Sequence, residues 1–154
     1  MAHLRTDTVA VYVIRQTDDG PQLLQLRRVP DDDAFPSTWQ TIYGHVQAGE
    51  HAADAARREL HEETGFTPAR FFQVEFIETI YARDDDSVCL VPVFGAEVAC
   101  TAVPVLNGEH DAFRWVAVPD VDTCFLWRSQ REAVWALLDG LTRAGLALKL
   151  LEIS

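Results

Sequence analysis

A mixed β-sheet covered by helices, a layered α/β arrangement, is the fold class this sequence predicts. Three observations carry it: apolar runs separated by Asp-, Gly- and Pro-containing turns, one Ala-rich stretch between those runs with glycines at both ends, and an amphipathic segment after the last run. Residues 8–15 (TVAVYVIR) and 22–28 (QLLQLRR) read as strands joined through the turn Asp18-Asp19-Gly20-Pro21. Residues 29–38, with Pro30, Pro36 and the acidic run Asp31 to Asp33, form a loop that leads into a short strand at 39–43.

Ala52, Ala53, Ala55 and Ala56 favour a helix over about 52–64, and Gly65 followed by Pro68 ends it. Residues 71–81 and 87–99 read as two strands around the acidic turn Asp84 to Asp86, and 113–118 (FRWVAV) as a last one. Pro92 cannot donate to a sheet ladder, which predicts an edge or a bulge in its strand. Ser129 and Glu132 have capping-box spacing, and Val134, Leu137, Leu138 and Leu141 form the apolar stripe of a C-terminal helix. Trp115 and Trp135 are expected in the core.

With 154 residues and 48% apolar content, the chain reads as one soluble domain, residues 1–154, around a single core. No basic, apolar leader and no membrane-length apolar run is present, so a cytoplasmic location is expected. Cys89, Cys100 and Cys124 are odd in number and form no CxxC pair, consistent with structural thiols. The formal net charge of −11 argues against nucleic acid or an anionic membrane as a partner. It leaves a phosphate substrate open, because a bound divalent cation reverses the local sign. The two acidic runs are expected to be solvated loops.

The chemistry concentrates on the helix at 52–64. Glu59, Glu62 and Glu63 stand at i, i+3 and i+4 and so share one face, where like charges repel. Ala53, Ala56 and Leu60 place an apolar stripe beside them, so the acids border the buried side of the helix. A solvated acidic face relieved by Arg57 and Arg58 is the plain reading. Three carboxylates converging at such an edge also suit a hard cation such as Mg²⁺ or Mn²⁺, which turns the repulsion into coordination.

The stretch GHVQAGEHAADAARRELHEETGF, residues 44–66, resembles the signature of the Nudix hydrolases. It matches at Gly44, Glu50, Arg58, Glu59, Leu60, Glu62, Glu63, Gly65 and Phe66. The resemblance implies an α/β/α sandwich and metal-dependent hydrolysis of a phosphoanhydride bond by water. It places the cations on Glu59, Glu62 and Glu63, with a backbone carbonyl at Gly44 or Tyr43, and gives Arg58 and Glu50 the role of holding loop and helix in orientation. Gly65 belongs to the same structural motif.

The base is left between Glu59 and Glu109, the latter in LNGEHDAFRW, where a similar Glu-His followed by Trp occurs in several branches of the family. Glu109 also reads as an ordinary turn acid, and His110 as a loop or packing residue. Arg27 and Arg28 close a strand where a basic residue meets substrate phosphate in this fold, or they are solubilising residues. Trp39 stacks on a base or fills the core.

The stretch WQTIYGHVQAGE resembles the small pyrophosphatases of nucleoside triphosphates and dihydroneopterin triphosphate, so a nucleotide-like triphosphate is the expected substrate. A long N-terminal region of the kind found in ADP-sugar pyrophosphatases is missing, which disfavours nucleotide sugars. A dinucleoside polyphosphate hydrolase is the main alternative. A nucleotide-binding regulator without hydrolysis is the reading from a different class, disfavoured because every motif glutamate is present. A homodimer is compatible with the fold.

Overall fold

The computed structural model describes residues 1–143 and 145–154. In chain order it comprises β1 (His3–Arg5), β2 (Thr8–Thr17), β3 (Gly20–Arg28), β4 (Trp39–Gln40), β5 (Ile42–His45), α1 (Ala52–Thr64), β6 (Arg70–Ala82), β7 (Ser87–Val98), β8 (His110–Ala117), α2 (Val121–Cys124), α3 (Arg128–Arg143) and α4 (Leu146–Leu151). A 3-10 turn at Val118–Asp120 leads into α2.

The sheet is mixed. β2 runs parallel to β7 and antiparallel to β3 and β5, while β6 is antiparallel to β7, and β4 and β8 are antiparallel to β3. β1, not anticipated from the sequence, pairs parallel to β7 over only three residues. Nothing in HLR carries a strand period long enough to read.

β2 shows why the sheet needs helices on both sides. Val9, Val11 and Val13 pack in a cluster with Ala55, Ala56 and Leu60 of α1. The alternate residues Ala10, Tyr12 and Ile14 pack with Ala133, Val134 and Leu137 of α3. A period of two sends successive side chains to opposite faces. The core expected to be single is thus divided by the sheet into two clusters, giving the α/β/α layering. Leu60 is fully buried, and its burial is worth roughly 1.5–3 kcal/mol.

Of the two alternatives for Pro92, the structure has the bulge and not the edge: β7 is bordered on both sides, and Pro92 pairs with Ile77, where the register against β6 jumps between Gln73 and Ile77. On the other side, pairing to β1 ends at Cys89 and pairing to β2 begins at Val93, so the missing N–H falls in a gap between two partners. Other local expectations are corrected. The short strand at 39–43 is two strands, because β4 pairs with β3 and β5 with β2. Thr41 turns between them and donates its hydroxyl to the Val11 carbonyl at 2.6 Å.

α3 begins at Arg128, so Ser129 lies within the first turn rather than capping it, and Glu132 pairs with Arg128 at 2.8 Å. Trp135 is on the exposed side of α3, its indole N–H donating to Asp122 at 3.2 Å. Cys89 is buried and Cys124 half-buried, but Cys100 is exposed. Among the described residues no helix is long and apolar enough to cross a membrane.

Candidate active site

The signature stretch folds as β5, a loop and α1, and its polar contacts tie the three together. Arg58 donates to both oxygens of Glu50, at 2.9 and 3.0 Å, and to the His45 carbonyl at 2.8 Å. Glu50 in turn accepts the Gln47 N–H at 2.9 Å, closing the loop on itself. The Arg58 guanidinium, and after it the Gln47 amide, hold the Glu50 carboxyl below its ordinary range, and the acids around Arg58 push its own pKa up. Arg58 also reaches Glu59 at 2.7 Å and Glu62 at 3.3 Å, so one cation orients two of the three helix glutamates.

Two glycines are required by this geometry. Gly65 has φ 71°, and its N–H donates to the His61 carbonyl at 2.7 Å, which stops the helix in the left-handed conformation. Gly44 lies so close to α1 that a Cβ there would overlap Cγ and Cδ of Glu59 and come within 2.7 Å of its Oε1. The backbone of β5 is thereby brought against the Glu59 carboxylate.

Glu63 is the most deeply buried of the three helix glutamates. Its Oε2 has no hydrogen-bond partner. Burial, then repulsion from Glu109 and Glu59, pushes its carboxyl up to about 8. His110 Nδ1 stands 3.9 Å from Oε2 and is likewise without a partner. Burial, then the Arg28 charge, pushes that imidazole down to about 4, so it supplies no cation at neutral pH. His110 is the first residue of β8 and buried, hence a packing residue rather than a loop residue.

Glu109, one residue earlier, has an exposed side chain facing Arg28 Nη2 at 3.6 Å. The turn is held in place by Asn107, whose side-chain oxygen accepts the Glu109 N–H at 3.1 Å, and by Val29, whose N–H donates to the Glu109 carbonyl at 3.1 Å.

Among the described residues no three acidic, His or Cys side chains stand in a metal-holding arrangement; Glu59 and Glu62 are turned onto Arg58. The donor set nevertheless suits a hard cation. All the groups that could ligate it are oxygens, and a buried carboxylate oxygen without a donor, beside further acids, is a group that a divalent ion would satisfy.

The residues expected to meet substrate separate. Arg28 donates to Asp32 at 2.7 Å, faces Glu109 and lines a cavity of about 800 Å³ on the α3 side of the sheet. Arg27 instead pairs with Asp111 at 2.7 Å and lies 5.7 Å from the Trp39 ring centre, while Arg114 covers Trp39 at 4.4 Å. Trp39 therefore stacks on arginines and does not line the cavity.

The sequence reading missed Phe35 and Trp127, which do line it. It also missed buried Glu78, which accepts hydroxyl hydrogen bonds from Tyr12 at 2.6 Å and Tyr43 at 2.8 Å. Asp32, read as part of a solvated run, has a largely buried side chain and accepts the Ala34 and Phe35 N–H groups. Isolated aromatics in loops and an acid inside a strand leave no local signal of this kind.

The layered sandwich carries its acidic groups on α1, against the close-approaching backbone of Gly44. The NUDIX domain family model matches residues 4–137, and the chain belongs to that family. It is 32% identical over 134 residues to an octanoyltransferase of Myxococcus xanthus, covering 82% of this chain but only 35% of that protein. The chain thus spans about a third of that relative. It is 27% identical over 125 residues to nucleoside triphosphatase NudI of Escherichia fergusonii, covering 77% of this chain and 86% of the relative. Among solved structures, a C. elegans Ap4A hydrolase binary complex superposes with a TM-score of 0.74 at 20% identity, over 90% of this chain and 99% of that one. At that identity the likeness speaks for the fold alone.

Proposed function

We propose that this chain is a divalent-cation-dependent pyrophosphohydrolase that cleaves a phosphoanhydride bond of a nucleoside triphosphate or related triphosphate by attack of water. The observation that carries the reading is Glu63: a buried carboxylate oxygen without a donor, beside Glu59 and Glu109, pushed up to about 8 by burial and by those charges. Such a group is costly unless a cation shares the site. The NudI relative, a nucleoside triphosphatase covered over most of its length, supports the substrate class.

Mg²⁺ or Mn²⁺ would be held by Glu59, Glu62, Glu63 and Glu109 with the backbone at Gly44. When bound, such an ion neutralises phosphate oxygens and makes a water more acidic. Arg58 is a positioning residue, fixing Glu59 and Glu62 relative to the loop through Glu50. Arg28 meets a phosphate.

Of the two carboxylates considered as base, Glu109 has the better placement. Glu59 Oε1 is already engaged by the Arg58 guanidinium at 2.7 Å, whereas the Glu109 carboxylate is open to solvent and its nearest cation is 3.6 Å away.

The test is a substrate panel with Mg²⁺ comprising nucleoside triphosphates, dihydroneopterin triphosphate, dinucleoside polyphosphates and nucleotide sugars, with products identified. The expected result is a monophosphate plus pyrophosphate from a triphosphate, and no turnover in excess chelator. Turnover of dinucleoside polyphosphates alone would move the substrate class. Absence of turnover on the whole panel would overturn hydrolysis in favour of nucleotide binding.

A further inference from the structure

We propose that the uncovered half of β6 is a self-association edge, where the strand pairs antiparallel with β6 of a second copy about a twofold axis at Thr79, perpendicular to the sheet. Two sheets then join into one. Among the described residues the only strand ladder of β6 is with β7, so its outer side is an edge. The C-terminal segment covers the beginning of that edge: Glu152 bridges Phe72, and the Ile153 N–H donates to the Phe71 carbonyl at 2.8 Å. The cover stops there, and from Ile77 to Ala82 no second backbone partner is present among the described residues.

An open edge is a template for another strand, and folded proteins guard such edges with Pro, Lys, bulges or inward-pointing charges. The run Ile77-Glu78-Thr79-Ile80-Tyr81-Ala82 has neither Pro nor Lys and is rich in β-branched and aromatic residues. The bulge of β6 lies before it, between Gln73 and Ile77. Its one charged residue, Glu78, is already buried and accepts the Tyr12 and Tyr43 hydroxyls, so an added strand would isolate no charge there.

The side chains fit a second copy of the same strand. Ile77, Thr79 and Tyr81 stand opposite Pro92, Leu90 and Val88 of β7 and so share one face of the sheet, the face on which Phe94 packs with α1. α1 leaves this end of the face open, with Ile77 49% and Tyr81 60% exposed. Glu75 and Arg83 continue the same period of two on either side of the run. Centred on Thr79, antiparallel pairing sets Thr79 opposite its own counterpart, Ile77 opposite the partner's Tyr81 and Glu75 opposite the partner's Arg83, the last two pairs occurring twice. A Thr–Thr pair, a β-branched–aromatic pair and an opposite-charge pair are all favourable cross-strand neighbours.

Neighbouring registers lose this match. Centring on Ile80 sets Glu75 opposite Asp85 and Ile77 opposite Arg83, while centring on Glu78 sets the two Glu78 side chains opposite each other. The charges needed are at hand: Glu75 has no ion pair among the described residues, and Arg83 has only Asp84 at 4.0 Å. The acids beyond are engaged, Asp85 by Arg5 at 2.9 Å and Asp86 by the Met1 amino group at 3.7 Å.

Sedimentation equilibrium of the full chain over the micromolar range tests this, in about 0.15 M salt so that the net charge of −11 is screened beyond ~8 Å. The expected result is a monomer–dimer equilibrium. Glu75→Arg or Arg83→Glu alone places like charges opposite each other twice per dimer and should weaken association about 5- to 30-fold. The two variants mixed in equal amounts re-form opposite-charge pairs and should recover wild-type association. Ile77→Lys puts a lysine on the open edge and should leave a monomer. Backbone amides of 77–82 should gain protection from hydrogen exchange as the concentration of the wild-type protein rises. A wild-type monomer throughout the range, a dimer that Ile77→Lys leaves intact, or charge variants that fail to recover on mixing would overturn the pairing. The substituted side chains are exposed, and melting temperatures at monomeric concentration exclude misfolding as the cause of a loss.

Discussion

Two buried carboxylates, one toward each face of the sheet, have opposite surroundings. Glu78 of β6 accepts two tyrosine hydroxyls, at 2.6 and 2.8 Å, and Gln130 of α3 donates to the second tyrosine at 3.1 Å. Glu63 of α1 has an oxygen with no partner, a neutral imidazole 3.9 Å away and two further acids near enough to raise its pKa. Burial pushes both carboxyls up, but only at Glu63 do neighbouring charges add to it. A buried acid whose hydrogen bonds are satisfied fastens a fold together, whereas one left unsatisfied beside like charges marks where a cation or a reaction belongs. The difference separates a structural network under α3 from a site on α1.

Rate measurements probe the α1 side most strongly. Glu62→Gln keeps the shape of the side chain while removing a proposed charged ligand, and kcat should fall by about 10³-fold with little change in melting temperature. A near wild-type rate at saturating Mg²⁺ would remove Glu62 from the site. Glu109→Gln should lower kcat by about 10²-fold and abolish the acidic limb of the pH-rate profile. A silent variant would return the role of base to Glu59, because an exposed turn acid without function tolerates such a change within about 0.5 kcal/mol.

Stability measurements probe the contrast itself. Glu78→Gln should cost about 1–2 kcal/mol in urea denaturation, because one of two strong acceptors for buried hydroxyls is replaced by a donor, with kcat within about threefold of wild type. Glu63→Gln should have the opposite sign, raising the melting temperature in chelator near pH 8. Loss of stability at Glu63 as large as at Glu78 would erase the distinction between them.

The pH dependence follows from the same groups. Glu63 binds a proton up to about 8 in the folded protein but only up to 4.5 when unfolded, so its contribution is full below 4.5 and is lost as pH rises toward 8. His110 is displaced from 6.5 down to about 4, so its contribution is present above 6.5 and lost as pH falls through 4. Between about 4.5 and 6.5 the two slopes oppose each other. From 6.5 to 8 the His110 contribution is constant while Glu63, with the raised carboxyl of Glu78 acting in the same sense, sets the slope, so the metal-free protein should lose stability with rising pH there, the slope should diminish in Glu63→Gln, and added Mg²⁺ should counter it. A flat profile in the wild-type protein across that window would show that the carboxyl is not displaced.

What the sequence alone determined is what depends on short spacing. Helix limits at 52 and 64, the stop at Gly65, the shared face of Glu59, Glu62 and Glu63 and the partnership of Arg58 with Glu50 lie within the single stretch 44–66, where the helical period fixes which groups meet. The principal strands were legible for the same reason, through turns and apolar runs. The burial of Glu63, the switch of Thr41 between two strands and the gap that accommodates Pro92 depend on neighbours brought from elsewhere in the chain. So does the cavity, whose Phe35 and Trp127 meet only because β3 and β8 pair and α3 packs on the same face of the sheet. Local geometry is set by the backbone period and is read from sequence. Which surfaces are buried together, and so which acid is left without a partner and which aromatics line a recess, is set by packing of the layers and had to come from the tertiary structure.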